Sequence, residues 1–269
     1  MDIKKKKTIG LALGSGGLRG LAHIGVIKVL LENKIPVDII SGSSAGALVG
    51  AYLAVFGEIE TLETMILKNG RDFLPMFFDF SLRGGLVNGK KIDIFLENLL
   101  KNTEFSKTKI PFYTIATDLI SGQSITFYFG KIAPAVRGSI SVPVVFKPLL
   151  YKNKLLIDGG LSDPVPVEIL KEKGADVVIA VNLYHKNEFS DKKFTFSGVA
   201  MRSTRIALHN LSKKSVTEAS IILNPDISYY LKNLKMSEYF KPENIKKIIT
   251  IGEEETKRNL SAIKKLLTN

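Results

Sequence analysis

The chain has 269 residues and no cysteine, which excludes disulfides and thiolate-bound metal. Histidine is scarce, with only His23, His185 and His209. No His-Glu-x-x-His run and no paired carboxylates at metal-ligand spacing accompany them. Neither a metal nor a cofactor is expected. No apolar run is long enough to cross a bilayer, and no repeat or low-complexity linker divides the chain. Acidic residues are also in deficit, 26 against 38 basic ones, for a formal net charge of +12. That surplus favours an anionic contact, a phospholipid surface or a nucleic acid, and charge alone does not choose between them. Lysines such as Lys171, Lys173, Lys192, Lys193, Lys246 and Lys247 are scattered, so most of them read as solvated faces.

What remains is the composition of an ordinary globule, 45% apolar and 24% charged, in a length that suits one large domain. Lys4–Lys7 followed by Thr8–Leu13 imitates the start of a signal peptide, but the apolar part is short and runs into a glycine-rich, arginine-containing loop. Residues 1–7 are therefore read as a basic tail and residues 8–269 as a single domain, with a cytoplasmic location favoured over export.

Hydrophobic periodicity then gives an alternation. Residues 8–13 read as a buried strand, Leu21–Leu31 as a helix, Val37–Ser41 as a strand and Ala45–Ala54 as a helix. Such alternation predicts a parallel sheet between helical layers, with ligands held where the strands end. Residues 60–105 read as mainly helical with breaks at Pro75 and Gly84-Gly85, a cap over the site. Further strands are expected at Phe112–Thr117, Ser124–Phe129, Leu155–Ile157, Asp176–Asn182 and Ser220–Leu223, and helices at Ile132–Gly138, Pro166–Lys173 and Phe194–Lys213. An amphipathic helix from Pro242 closes the chain, within a helical segment at about 236–269; it is expected to dock on the core rather than on a partner or a membrane.

Two glycine-rich turns fall at the expected strand ends. Gly42-Ser43-Ser44-Ala45-Gly46 places Ser44 between glycines at a strand-to-helix turn, the pattern of a nucleophile elbow. Gly14–Gly20 can converge its backbone N–H groups on an oxyanion or a phosphate. A dinucleotide fingerprint fails because Arg19 stands where its last glycine belongs, and a phosphate-binding P-loop fails for want of Gly-Lys-Ser/Thr. For a base, Asp158 ends the apolar run Leu155–Ile157, on the edge expected to carry Ser44. Two constellations stay open: a triad of Ser44, Asp158 and His185 or His209, or a dyad of Ser44 and Asp158. His185 and His209 sit in lysine-rich surroundings that read as surface, and His23 reads as a packed structural residue.

Taken together these blocks resemble the bacterial patatin-like phospholipases over nearly all of residues 8–225. The resemblance rests on Ser15–Gly20, Gly42–Gly46, Arg137–Ser139 through Pro143, Phe146–Pro148, Asp158–Gly160, Asp163–Pro166 and Gly174–Val178. Ser15 departs from the family's usual first glycine, and Gly138 stands where many relatives carry alanine. The resemblance implies a three-layer α/β/α fold with a mostly parallel sheet and a Ser44–Asp158 dyad without a catalytic histidine. It also implies an oxyanion hole from the N–H groups of Gly16, Gly17 and Leu18, with Arg19, Gly42, Gly46, Gly159 and Gly160 in support. The implied activity is hydrolysis of the carboxylic esters of phospholipids, lysophospholipids or acylglycerols through an acyl-enzyme, without metal; with the basic charge it favours an anionic membrane surface over nucleic acid as partner. An acyltransferase or thioesterase using the same dyad, or a regulatory protein that keeps the fold, are the alternatives; no oligomeric state is implied.

Overall fold

The first strand is flanked on both sides, and that placement organises the molecule. In the computed structural model, which describes residues 6–77, 89–143, 145–185, 196–231, 234 and 238–268, the elements run in the expected alternation. They begin β1 (Ile9–Leu13), α1 (Leu21–Glu32), β2 (Ile39–Ser43) and α2 (Ala45–Phe56). Next come α3 (Glu60–Phe77), α4 (Lys90–Leu99), β3 (Phe112–Asp118), β4 (Ser124–Phe127) and α5 (Ile132–Ser139). A hairpin of β5 (Leu149–Tyr151) and β6 (Lys154–Ile157) leads to α6 (Glu168–Glu172) and β7 (Val177–Val181). The chain ends with α7 (Phe196–Ser215), β8 (Ile221–Leu223), α8 (Ser228–Leu231) and α9 (Pro242–Thr268).

The eight strands form one sheet in which β1 pairs in parallel with β2 and β7, β2 with β3, and β7 with β8. Strands β4 and β6 both run antiparallel to β3, and β5 runs antiparallel to β6. Alternation along β1 separates the two faces. Ile9, Leu11 and Leu13 pack with α1, α2 and α9, whereas Ala12 joins Val178, Ala180 and Leu170 beneath α6. This is a three-layer α/β/α fold around a mostly parallel sheet.

Several boundaries differ from those read in the sequence. Strand β2 begins later and runs through Gly42-Ser43, because both residues pair with β3 and Gly42 also pairs with Leu13 of β1, outweighing their poor strand propensity. Helix α3 continues through Pro75; its irregular residue is Asn69, where the next residue, Gly70, abuts Ile245 and the Phe240 carbonyl. The break expected at Gly84-Gly85 lies outside the described residues. Strand β5 had no counterpart in the reading of the sequence, although Lys152 and Asn153, both at positive φ (47° and 62°), form the tight turn that a two-residue hairpin requires.

Helix α9 docks on the core. It crosses α1 so closely that a Cβ on Gly25 would collide with the Ile249 carbonyl and one on Gly252 with the Ala22 carbonyl. Lys28 of α1 completes the contact, 2.9 Å from Glu63 of α3 and 3.0 Å from Glu253 of α9. At the other end Lys7 donates to the Leu266 carbonyl at 2.8 Å, so the last residue of the expected basic tail is pinned to the end of α9.

Candidate functional site

Ser44 and Asp158 meet because two strands run toward each other along one edge of β3. Strand β2 covers residues 112–115 of that edge and β6 covers 117–118, while Thr117 pairs on its other side with Ser124 of β4. β2 therefore ends at Ser43 and β6 at Ile157, head to head, and the next residue of each is Ser44 or Asp158. Asp158 is on the edge expected, but it arrives by an antiparallel strand entering from beyond that edge rather than by a parallel one ending there.

The Ser44 hydroxyl donates to Asp158 Oδ2 at 2.5 Å, and both residues are buried. Asp158 is held at three further points: Oδ1 accepts from Gly160 N–H (2.8 Å), its own N–H donates to the Ser141 carbonyl (2.9 Å), and its carbonyl accepts from Thr117 Oγ1 (2.8 Å). Burial pushes its carboxyl up to about 6, opposed by the hydrogen bonds from Ser44 and Gly160. Such a group is ionised at neutral pH and still basic enough to accept a proton.

Ser44 has φ 52° and ψ −119°, a region that costs a non-glycine residue roughly 1–3 kcal/mol. The elbow is held by its surroundings. The Ser44 N–H donates to Ser139 Oγ (2.8 Å), and its carbonyl accepts from Ala47 and Leu48 in the first turn of α2. Gly42 and Gly46 are needed because the turn folds onto itself: a Cβ on Gly42 would enter the Gly46 carbonyl, and one on Gly46 the Leu13 carbonyl.

The glycine-rich loop faces Ser44. Its ends are fixed, with Gly14 N–H donating to the Val181 carbonyl, Ser15 N–H to the Pro164 carbonyl and Arg19 N–H to the Gly16 carbonyl. Gly17 and Leu18 open a 3₁₀ turn (Gly17–Gly20) that leads into α1, and N–H groups at a helix start have no intrahelical acceptor. Gly16, Gly17, Leu18, Ser44 and Asp158 line one cavity of about 260 Å³. Ser15 is accommodated because its hydroxymethyl group occupies space that a Cβ on Gly160 would need. Gly138, in turn, lies against Leu156 where a methyl group would crowd it. Arg19 secures the loop, donating from Nη1 to the Leu183 carbonyl at 2.9 Å and stacking on the Tyr184 ring.

The histidines stand elsewhere. His23 is fully buried as expected, donating from Nε2 to the Gly14 carbonyl at 2.7 Å, and burial lowers its pKa to about 4, so it is neutral. His209 is not at the surface as its lysine-rich surroundings suggested; it is buried and its Nδ1 donates to the Tyr184 carbonyl at 2.5 Å. Neither His185 nor His209 is among the described residues lining the cavities at Ser44. Among the described residues no cluster could hold a metal ion.

Residues 11–171 match the family model of the patatin-like phospholipases. The chain belongs to the patatin-like phospholipase family. It is 36% identical over 175 residues to an uncharacterised NTE family protein of Mycobacterium tuberculosis, covering 65% of this chain and 49% of that protein. It is 32% identical over 195 residues to the lysophospholipase NTE1 of Coccidioides immitis, covering 66% of this chain and 12% of that one. The chain thus spans about half or less of the length of these relatives. Among solved structures, VipD from Legionella pneumophila superposes with a TM-score of 0.52 at 14% identity, covering 96% of this chain and 67% of that one, a likeness of fold.

A second cavity, of about 300 Å³, also opens at Ser44. Among the described residues that line it, Ser44 is the one with a polar side chain; the walls come from Leu48 and Val49 of α2, Met65 and Ile66 of α3, Phe95 of α4 and the Ile140–Phe146 loop, among others. Helices α3 and α4, which belong to the segment 60–105 expected to cap the site, thus supply part of this wall, and residues 78–88 of that segment lie outside the described residues. The first cavity, whose surface is also mostly apolar, is the more polar of the two and carries Arg19, Arg205, Thr204, Tyr184 and Tyr239. The reading of the sequence missed Ser139, Ser141 and Thr117, which hold the two central residues, and Arg205 and Phe240 in the walls. A Ser-x-Ser after a helix end was the available signal for the first two; nothing local marked the others.

Proposed function

We propose that the chain is a lipid acyl hydrolase in which Ser44 is the nucleophile and Asp158 the base. The observation that carries this reading is the buried 2.5 Å hydrogen bond from the Ser44 hydroxyl to Asp158, with Ser44 lining both cavities. Ser44 Oγ adds to the ester carbonyl carbon as its proton passes to Asp158 Oδ2. The N–H groups of Gly16, Gly17 and Leu18 hold the negative oxygen of the tetrahedral intermediate, where one such donor is typically worth on the order of 10²–10³ in turnover. Collapse expels the alcohol, which takes the proton back from Asp158, and leaves an acyl-Ser44 ester. Water activated by Asp158 then releases the fatty acid.

The apolar cavity suits an acyl chain and the more polar one, with Arg19 and Arg205, suits the alcohol part of the ester. The names of the family and of the Coccidioides relative support a phospholipid or lysophospholipid substrate. The charge of +12 supports contact with an anionic lipid surface. Residues 8–269 act as one domain in this reading, since α9 closes on α1.

Labelling with a fluorophosphonate, followed by hydrolysis of a p-nitrophenyl ester, tests the assignment. Wild type should label and hydrolyse; Ser44→Ala should do neither, and Asp158→Asn should lose at least about 10³ in turnover. His185→Ala and His209→Ala should retain most of it. Dependence on either histidine, or labelling that survives Ser44→Ala, would overturn the dyad.

A further inference from the structure

The segment that precedes α9 touches both cavities. Tyr239 lines the more polar one and the next residue, Phe240, lines the apolar one together with Ile245. Phe240 and Ile245 are buried, and both abut Gly70 of α3 so closely that a Cβ there would meet Ile245 Cδ1 at 2.6 Å and the Phe240 carbonyl at 3.1 Å. These two residues form part of the cavity wall where α3 meets the start of α9, and they lie outside the residues that match the family. We propose that Phe240 and Ile245 limit the length of acyl chain that the site accepts. The proposal rests on Ser44 being the nucleophile of an acyl hydrolase.

The size of the cavity sets the scale. An apolar cavity of about 150 Å³ holds a benzene ring, so one of about 300 Å³ holds roughly twice that carbon content, on the order of a dozen methylenes. The chamber has no charged lining among the described residues, so each methylene that enters gains contact and sheds water without opposing cost. A chain that outgrows the chamber must leave methylenes in water or force the Phe240 wall outward, and packed walls resist that.

Esters of p-nitrophenol with acyl chains from about four to about eighteen carbons read the limit directly. For wild type, kcat/KM should rise by up to about fourfold per methylene and stop rising near ten to fourteen carbons. Phe240→Ala should raise the ratio of kcat/KM for a sixteen-carbon ester to that for a ten-carbon one by about tenfold, and Phe240→Trp should lower it. Being a ratio within one preparation, it is insensitive to the folded fraction; Ile245→Val offers a milder variant with the same expected direction. A second measurement needs no turnover: displacement of a fluorescent fatty acid from Ser44→Ala protein by fatty acids of increasing length should show the same break, moved to longer chains when Phe240→Ala is added.

A wild-type profile that climbs without a break to eighteen carbons, or one unmoved by both Phe240→Ala and Ile245→Val, would overturn the proposal. Absence of labelling and hydrolysis at every length would instead count against Ser44 as nucleophile, and the displacement series would still decide the chain-length limit.

Discussion

At the scale of single residues, the pairing of Ser44 with Asp158 makes activity and stability respond to pH in opposite senses. The carboxyl titrates at about 6 in the folded chain and near 3.9 when unfolded, because burial penalises the charge. Above both values the folded chain carries a buried carboxylate whose cost is fully present; below both, the group is protonated in either state and the cost is gone. Stability contributed by this group therefore falls as pH rises from about 4 to about 6, while the proposed base becomes ionised in the folded chain as pH rises through about 6. Asp158→Asn should raise unfolding stability at pH 7.5 by up to roughly 3 kcal/mol, a shift of several degrees in Tm, and by little at pH 4. Calorimetry of both proteins at the two pH values checks this, and kcat/KM of wild type should fall below about pH 6. Ser44 and Asp158 were legible in the sequence because glycines bracket one and follow the other, and because each ends an apolar run. Their supports were not: Ser139, Ser141 and Thr117 act through single hydrogen bonds across the fold, which leave no local pattern.

At the scale of elements, the parallel core of the sheet followed from the alternation of apolar runs with helical periods, whereas the antiparallel approach of β6 did not. A four-residue strand has the same composition whichever way it runs, and its direction here is decided by the Lys152-Asn153 turn and by pairing with only two residues of β3. Docking of α9 was expected from its apolar stripe, but the crossing point is set by two glycines 227 positions apart, Gly25 and Gly252, that a periodicity analysis sees only as gaps. Overpacking that crossing has a clear expected effect. Gly252→Leu should destabilise the fold by about 3 kcal/mol, lowering Tm by roughly 6–12 °C, whereas Thr250→Ala on the exposed face of the same helix should change it by less than about 0.5 kcal/mol. Thermal unfolding of the two variants beside wild type would show whether the α1–α9 contact is as tight as its geometry says.

At the scale of the whole molecule, net charge and exposed apolar groups point the same way. Ile120 (81% exposed) and Leu150 (71% exposed) lie near the start of β6, since Leu119 bonds to Leu155 and Leu150 pairs with Leu155, and Lys154 stands beside them. The described residues contain no helix long and apolar enough to cross a membrane. The proposed contact with an anionic lipid surface should combine charge with shallow apolar contact at Ile120 and Leu150. Vesicles containing about 30% phosphatidylserine should sediment the protein at low salt and release it near 0.5 M salt, and Ile120→Ser with Leu150→Ser should weaken binding at both. Equal binding to neutral vesicles would remove the electrostatic part. The meeting of β2 and β6, finally, orders events during synthesis. A growing chain makes the elbow long before the proposed base, because Asp158 is made 114 residues after Ser44. β1 then waits for β7 to complete the middle of the sheet, and α1 waits for α9, which ends at Thr268, to cover its outer face. The proposed pairing of Ser44 with Asp158 is thereby out of reach of a nascent chain until β6 has been made and has paired with β3.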